Sequence, residues 1–177
     1  EIIRKHLLFP DGARLMDRPV TYRGGPERIF RRAESAANFG REIGLMYTHA
    51  HLRYAEAMAV LGEADALWDA LLKVNPLAVT EHLDMASLRQ RNTYFSSSDA
   101  AFPDRYAASA EWDRVKAGDV AVDGGWRIYS SGPGLYTNVL VRLAFGRRRY
   151  FGASMSSPLL PKRLGNAKLT VTSGGDS

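Results

Sequence analysis

At 177 residues, with 45% hydrophobic and 24% charged positions, the chain has the length and make-up of one soluble domain with a core. It has no cysteine, which excludes disulfides and thiolate metal sites and suits a cytoplasmic setting. No apolar run could span a bilayer, so no membrane contact by this segment is expected. The net charge is +5, but the basic residues are scattered apart from Arg31-Arg32 and Arg147-Arg148-Arg149. No zinc-finger, basic-zipper or ribonucleoprotein motif accompanies them. Solvated faces and helix C-termini explain them better than nucleic acid.

The opening Glu1-Ile2-Ile3-Arg4-Lys5 lacks an initiator Met and a signal-peptide pattern, which predicts a processed start or a fragment. Residues 1–9 pattern as the tail of a helix, with Ile2, Ile3 and Leu7 on one face. Pro10-Asp11-Gly12 breaks it, and residues 11–25 form an ordered loop. Pro26 opens a helix that Gly40 ends. A long helix is predicted from about Gly44 to Leu61, with Tyr47, Ala50, Tyr54, Ala57, Met58 and Leu61 as its apolar face. His51 borders that face and is expected to be a satisfied core histidine. His49 points nearly opposite, beside Leu45, Leu52 and Glu56. Ala64 to Val74 is a second helix, with Leu67, Trp68, Leu71 and Leu72 inward. The tight link at Gly62 makes the two an antiparallel pair.

Residues 77–102 have weak periodicity and end in RQRNTYFSSSDAAF, a polar and aromatic stretch of the kind that builds sites. Pro103 to Lys116 reads as a helix with Tyr106, Ala110 and Trp112 buried. Val120–Val122 and Trp126–Tyr129 read as a short β-hairpin around Asp123-Gly124-Gly125. A helix follows from about Leu135 to Phe145. After Gly146 the pattern weakens, with extended chain at Pro158–Pro161 and at Lys168–Thr172. The fold class is mainly α. Paired helices with long polar loops at one end suggest part of a toroid of helices, and about five helices are too few to close one. Residues 1–150 are assigned to that partial toroid and 151–177 to the start of a truncated β-rich segment.

Three features could carry chemistry. Ser130-Ser131-Gly132-Pro133-Gly134 leads into a helix, whose unpaired amides and partial positive charge favour anions. The plainer reading is Ser131 as an N-cap with the glycines in a turn. His49, near the start of its helix, could donate to a phosphate oxygen, or could be an exposed helix residue. Among Glu42, Glu81, Asp84 and Asp99, spacing singles out no carboxylate pair for glycosidic chemistry. No metal-binding spacing occurs.

Taken together, GREIGLMYTHAHLRYAEAMAVLG, RQRNTYFSSSDAAFPDRYAAS and VDGGWRIYSSGPGLYTNVLVRLAFG resemble the C-terminal part of the catalytic barrel of glycoside hydrolase family 94. The resemblance covers roughly residues 7–165 and is nearest to the branch acting on β-1,2-glucans. It implies the C-terminal half of an (α/α)6 barrel with the start of a C-terminal β segment. It also implies inverting cleavage of a β-glucoside by inorganic phosphate, giving α-glucose 1-phosphate. Phosphate is then a co-substrate, no cofactor is needed, and the partners are a β-glucan oligosaccharide and phosphate. An oligomer of identical chains stays open.

By that resemblance His49 matches the family's phosphate-contacting histidine, and Glu42 the glutamate seven residues before it, near the sugar. Ser131-Gly132 matches a phosphate-holding Thr-Gly pair, with Ser replacing Thr and the hydroxyl kept. Arg41 and Gln90 become candidates for sugar contacts, and Tyr94 for stacking on a pyranose face. The general-acid aspartate is expected upstream, since none of Asp11, Asp17 or Asp99 matches it. The segment alone is therefore expected to be inert. A cyclic β-1,2-glucan synthase domain and a non-catalytic carbohydrate-binding helical module are the alternatives.

Overall fold

The computed structural model describes residues 1–18, 45–75, 79–86, 97–103, 105–124 and 131–170. The chain opens with a π-helical turn at Ile3–Leu7. It does not stay helical to residue 9. Leu8–Phe9 (β1) pairs antiparallel with Gly12–Ala13 (β2), Leu8 opposite Ala13. Pro10-Asp11 makes the turn, so the expected break holds but joins strands rather than a helix and a loop. The helix expected after Pro26 lies outside the described residues.

The long central helix starts later than its pattern suggested. Leu45–Tyr47 is a strand (β3), and helix α1 runs Thr48–Val60. Its buried face is Thr48, His51, Leu52, Tyr54, Ala55 and Met58. The expected face was thus rotated: Leu61 is 68% exposed, while Leu52, expected beside His49 on the far side, is fully buried. The cause is that polar His51 reaches the Ala70 carbonyl of the neighbouring helix, a contact that a hydrophobicity pattern does not score. Helix α2, Ala64–Lys73, buries Leu67 and Leu71 as expected, with Ala70 buried in addition and Trp68 and Leu72 only half-buried, and packs antiparallel against α1 across Gly62, whose φ is +74°. A short helix, Val79–His82 (α3), follows.

Ser97–Ala100 (β4) is the centre of a three-stranded antiparallel sheet, β3-β4-β5, with Val122–Gly124 as β5. Asp123 and Gly124 therefore lie in a strand paired with β4, not in the turn of a local hairpin. The proposed partner strand Trp126–Tyr129 lies outside the described residues. Between β4 and β5 sits α4, Arg105–Ala117. It buries Ala108, Trp112 and Val115. Trp112 was expected there. Tyr106 is 61% exposed and Ala110 is also exposed, because the helix turns Ala108 and Trp112 toward Phe9 and Phe102 instead.

Helix α5, Ser131–Asn138, continues as π-helical turns through Val139–Ala144. Arg147–Tyr150 (β6) and Ala153–Ser156 (β7) then form a hairpin that the sequence pattern missed. The described residues are thus mainly helical with small antiparallel sheets.

One histidine ties three of these elements together. His51 is fully buried. The Ala13 amide donates to its Nδ1 at 2.8 Å, so its Nε2–H donates to the Ala70 carbonyl, also at 2.8 Å. Ala70 lies in the last turn of α2, where carbonyls lack helical partners. The imidazole therefore caps α2 from α1 while holding β2. Gly12 is needed beside it: at φ +139° a Cβ would lie 2.9 Å from both Nδ1 of His51 and Cγ of Met46. A second buried polar unit stands at the other core. Arg14 pairs with Asp11 at 2.8 Å, and its guanidinium lies over Phe9 and Trp112 at 5.2 and 5.5 Å. Of the loop expected over residues 11–25, Gly12–Ala13 is a strand held beside this pair, and 19–25 lie outside the described residues.

His51→Leu would leave a buried amide and a buried carbonyl unpaired, each costing about 1–3 kcal/mol. A loss of about 2–6 kcal/mol in urea denaturation of the full-length protein is expected, against little change for the surface variant Val60→Ala.

Candidate functional site

The three-stranded sheet gathers the motifs. Tyr47 pairs with Ser97 and Ser98 with Gly124, while β3 and β5 both run antiparallel to β4. The C-terminal ends of β3 and β5 and the N-terminal end of β4 therefore lie at one end of the sheet. From that end the chain passes directly into α1, whose second residue is His49. From the same end, seven residues after Gly124, it reaches Ser131 and α5. The stretch holding Gln90 and Tyr94 enters β4 there too. Those two residues lie outside the described residues, as do Arg41 and Glu42.

Two parallel helices reinforce this placement. Helix α5 packs along α1. Ala59, Val60 and Gly62, at the C-terminal end of α1, line a cavity of about 250 Å³ together with Leu143, near the end of α5's continuation. The C-terminal ends thus lie together. Eleven residues separate His49 from Val60 and twelve separate Ser131 from Leu143, so the start of α5 is directed toward the N-terminal end of α1. Their dipoles point the same way, and each contributes positive potential at that end.

At the start of α1 the ring of His49 lies nearly parallel to that of Tyr47, with centroids 6.1 Å apart and planes 16° apart. His49 is half-buried. Thr48, between them, is fully buried, and its hydroxyl has no hydrogen-bond partner among the described residues. Ser131 is exposed and Gly132 buried. Ser131 is the first residue of α5 rather than a residue before it, at the end where helix amides lack partners. Tyr47 and Thr48 were not singled out in the sequence, because a helix drawn from Gly44 hides the strand-to-helix junction that places them. The junction has a sequence signal only in retrospect: β-favouring Leu45-Met46-Tyr47 before Thr48.

His51, two residues on, belongs to the core as its position on the helix suggested. Asp11 is engaged by Arg14, and Asp17 stands 3.5 Å from the Lys116 ammonium. Among the described residues, no group of three or more His, Asp or Glu could hold a metal ion. None of their helices is long and apolar enough to cross a membrane.

Comparison with known proteins bears on this arrangement. No family model matches the chain. Over 164 residues it is 55% identical to a 1,2-beta-oligoglucan phosphorylase of Listeria innocua serovar 6a. The chain is homologous to one segment of that phosphorylase. The match takes in 93% of this chain and 15% of the relative, so the chain spans under a sixth of the length of the protein it matches. The relative is a phosphorylase named for 1,2-beta-oligoglucan, the class of enzyme that the three sequence motifs resemble.

The anchoring of α5 has a pH signature. Tyr136 packs against the main core, and burial pushes its phenol pKa up. The unfolded chain gives up that proton near pH 10, whereas the folded chain keeps it to higher pH. The stability carried by the neutral phenol is whole below about pH 10 and is lost as pH climbs to the raised folded value. Tyr136→Phe is expected to flatten this part of the alkaline decline in thermal midpoint, and an unchanged slope would contradict it.

Proposed function

We propose that the chain is one segment of a longer inverting phosphorylase that cleaves β-1,2-glucan with inorganic phosphate to give α-glucose 1-phosphate. We assign this segment to the phosphate side of the site, with α1, α2, α4 and α5 as part of an (α/α)6 barrel. The observation that carries the reading is the β3-β4-β5 register, which sets the strand running into His49 and the strand preceding Ser131 at one end of the sheet and so supports a shared anion site there. The similarity to a phosphorylase of that name supports the reaction class. The absence of cysteine suits action in the cytoplasm.

The chemistry follows from charge. Phosphate is already a nucleophile, so no protein base is needed to activate it. It must be held, and its negative charge balanced, below the anomeric carbon opposite the departing oxygen. An imidazole N–H, a serine hydroxyl and helix-terminal amides supply hydrogen bonds to it. In-line attack forms the anomeric C–O bond to phosphate as the glycosidic C–O bond breaks, inverting the centre. The departing oxygen takes a proton from a carboxylic acid, which we place elsewhere in the longer polypeptide. Glu42, Arg41, Gln90 and Tyr94 are assigned to the glucosyl unit. The stacked Tyr47 holds the His49 ring in orientation.

In the full-length protein, β-1,2-glucan plus phosphate is expected to release α-glucose 1-phosphate. His49→Ala is expected to raise the KM for phosphate by about 10- to 100-fold, the loss of one charge-assisted hydrogen bond of about 1.5–3 kcal/mol, with the KM for glucan little changed. Equal effects on both would move His49 off the phosphate. Ser131→Thr is expected to retain activity and Ser131→Ala to lose phosphate affinity. Residues 1–177 expressed alone are expected to show no phosphorolysis, and measurable turnover would place the acid within them.

A further inference from the structure

The β6–β7 hairpin is exposed on both faces, which a two-stranded hairpin does not sustain alone. All eight strand residues are exposed, and at the tip Phe151 is 94% and Tyr150 67% exposed. The two rings meet edge to face, 4.6 Å between centroids, with Phe151 held at φ +46°. Isolated two-stranded hairpins are marginal in water, and large exposed apolar groups in one place mark contact surfaces. The register puts Arg148, Tyr150, Ala153 and Met155 on one face and Arg147, Arg149, Ser154 and Ser156 on the other.

Charge is segregated in the same region. From Gly124 to Gly175 the sequence has six arginines and two lysines and no Asp or Glu. Arg147 and Arg149 meet no carboxylate among the described residues. Beside them runs a groove of about 670 Å³, lined by Arg147, Ser154, Ser156 and Asn166 and floored by Leu160 and Leu169. Exposed arginine, tyrosine, phenylalanine and methionine around an apolar floor is the composition of a protein contact, not of a solvated surface.

We propose that this hairpin and groove are a docking ridge for another segment of the same polypeptide, one that seats Phe151 in an apolar recess and sets carboxylates against Arg147 and Arg149. This rests on the reading of the chain as part of a longer protein. Two facts favour that occupant. The matched relative has most of its length outside the segment that this chain covers, so covering chain is available in cis. The run also lacks any acidic group for over fifty residues; Asp65 of α2 serves Arg163, whereas Arg147 and Arg149 meet no carboxylate among the described residues, which favours a partner segment beyond them.

The test is amide hydrogen exchange of residues 146–157 in the full-length protein, at two protein concentrations, with and without β-1,2-glucan. Docking in cis predicts exchange slowed by about 100-fold or more against the free-peptide rate, at both concentrations and without glucan. Phe151→Asp should return the hairpin toward the free-peptide rate while phosphorolysis and thermal midpoint, read on the same sample, report whether the rest is folded. Phe151→p-benzoylphenylalanine should photocross-link within one chain to an acidic segment outside residues 1–177. Free-peptide rates in the parent, protection only at the higher concentration, or protection only with glucan would each overturn the proposal. The last two would assign the surface to a second copy or to carbohydrate. A protected hairpin in a sample that releases no glucose 1-phosphate would keep the docking and overturn the activity.

Discussion

The buried imidazole of His51 is the constraint on which the rest of the segment depends. It accepts from β2 and donates to the end of α2, and it sits on the face of α1 that both must reach. Each bond satisfies a backbone group that burial would otherwise leave orphaned. The geometry admits one tautomer, with the proton on Nε2. It also admits only glycine at position 12, where the strand crosses the ring. A polar residue thus fixes the rotation of α1 about its axis. That rotation turns Leu52 inward and carries Leu61 out to solvent.

The same rotation governs the candidate site. With Thr48, His51 and Leu52 inward, His49 is left at the helix start, between core and solvent, flanked by Tyr47. The sheet sets the position of that start. β3 ends one residue before α1 begins, so hydrogen bonds to β4 fix the backbone from which His49 projects. β4 also pins β5, and β5 leads toward Ser131. One central strand therefore spaces two helix starts that are more than eighty residues apart in sequence. On the proposed function a bound dianion gains from this, because the dipoles and amides at the two helix starts are oriented beforehand.

The helix pair around Gly62 was legible in the sequence, since its periodicity is strong and its cap is glycine. The core role of His51 was legible too, from its place at the border of the apolar stripe. The strand Leu45–Tyr47 was not, because three residues are too few for a period to show and helical spacing runs through them. β4 was not legible either: Ser97-Ser98-Asp99-Ala100 has low strand propensity and is held by neighbours on both sides. The β6–β7 hairpin hid behind three arginines and an aromatic pair, which no alternation of polar and apolar residues marks. The chemistry of His49 and Ser131 came from resemblance. Local physics alone left each with a plainer reading. The packing of α5 along α1 is a tertiary fact that no local pattern encodes.

The most direct test of the central claim is a crystal structure of the full-length protein with phosphate bound. The account predicts one phosphate whose oxygens lie within about 3 Å of the His49 imidazole and of the Ser131 hydroxyl or Gly132 amide. Phosphate bound elsewhere, or His49 and Ser131 too far apart to share one anion, would contradict it.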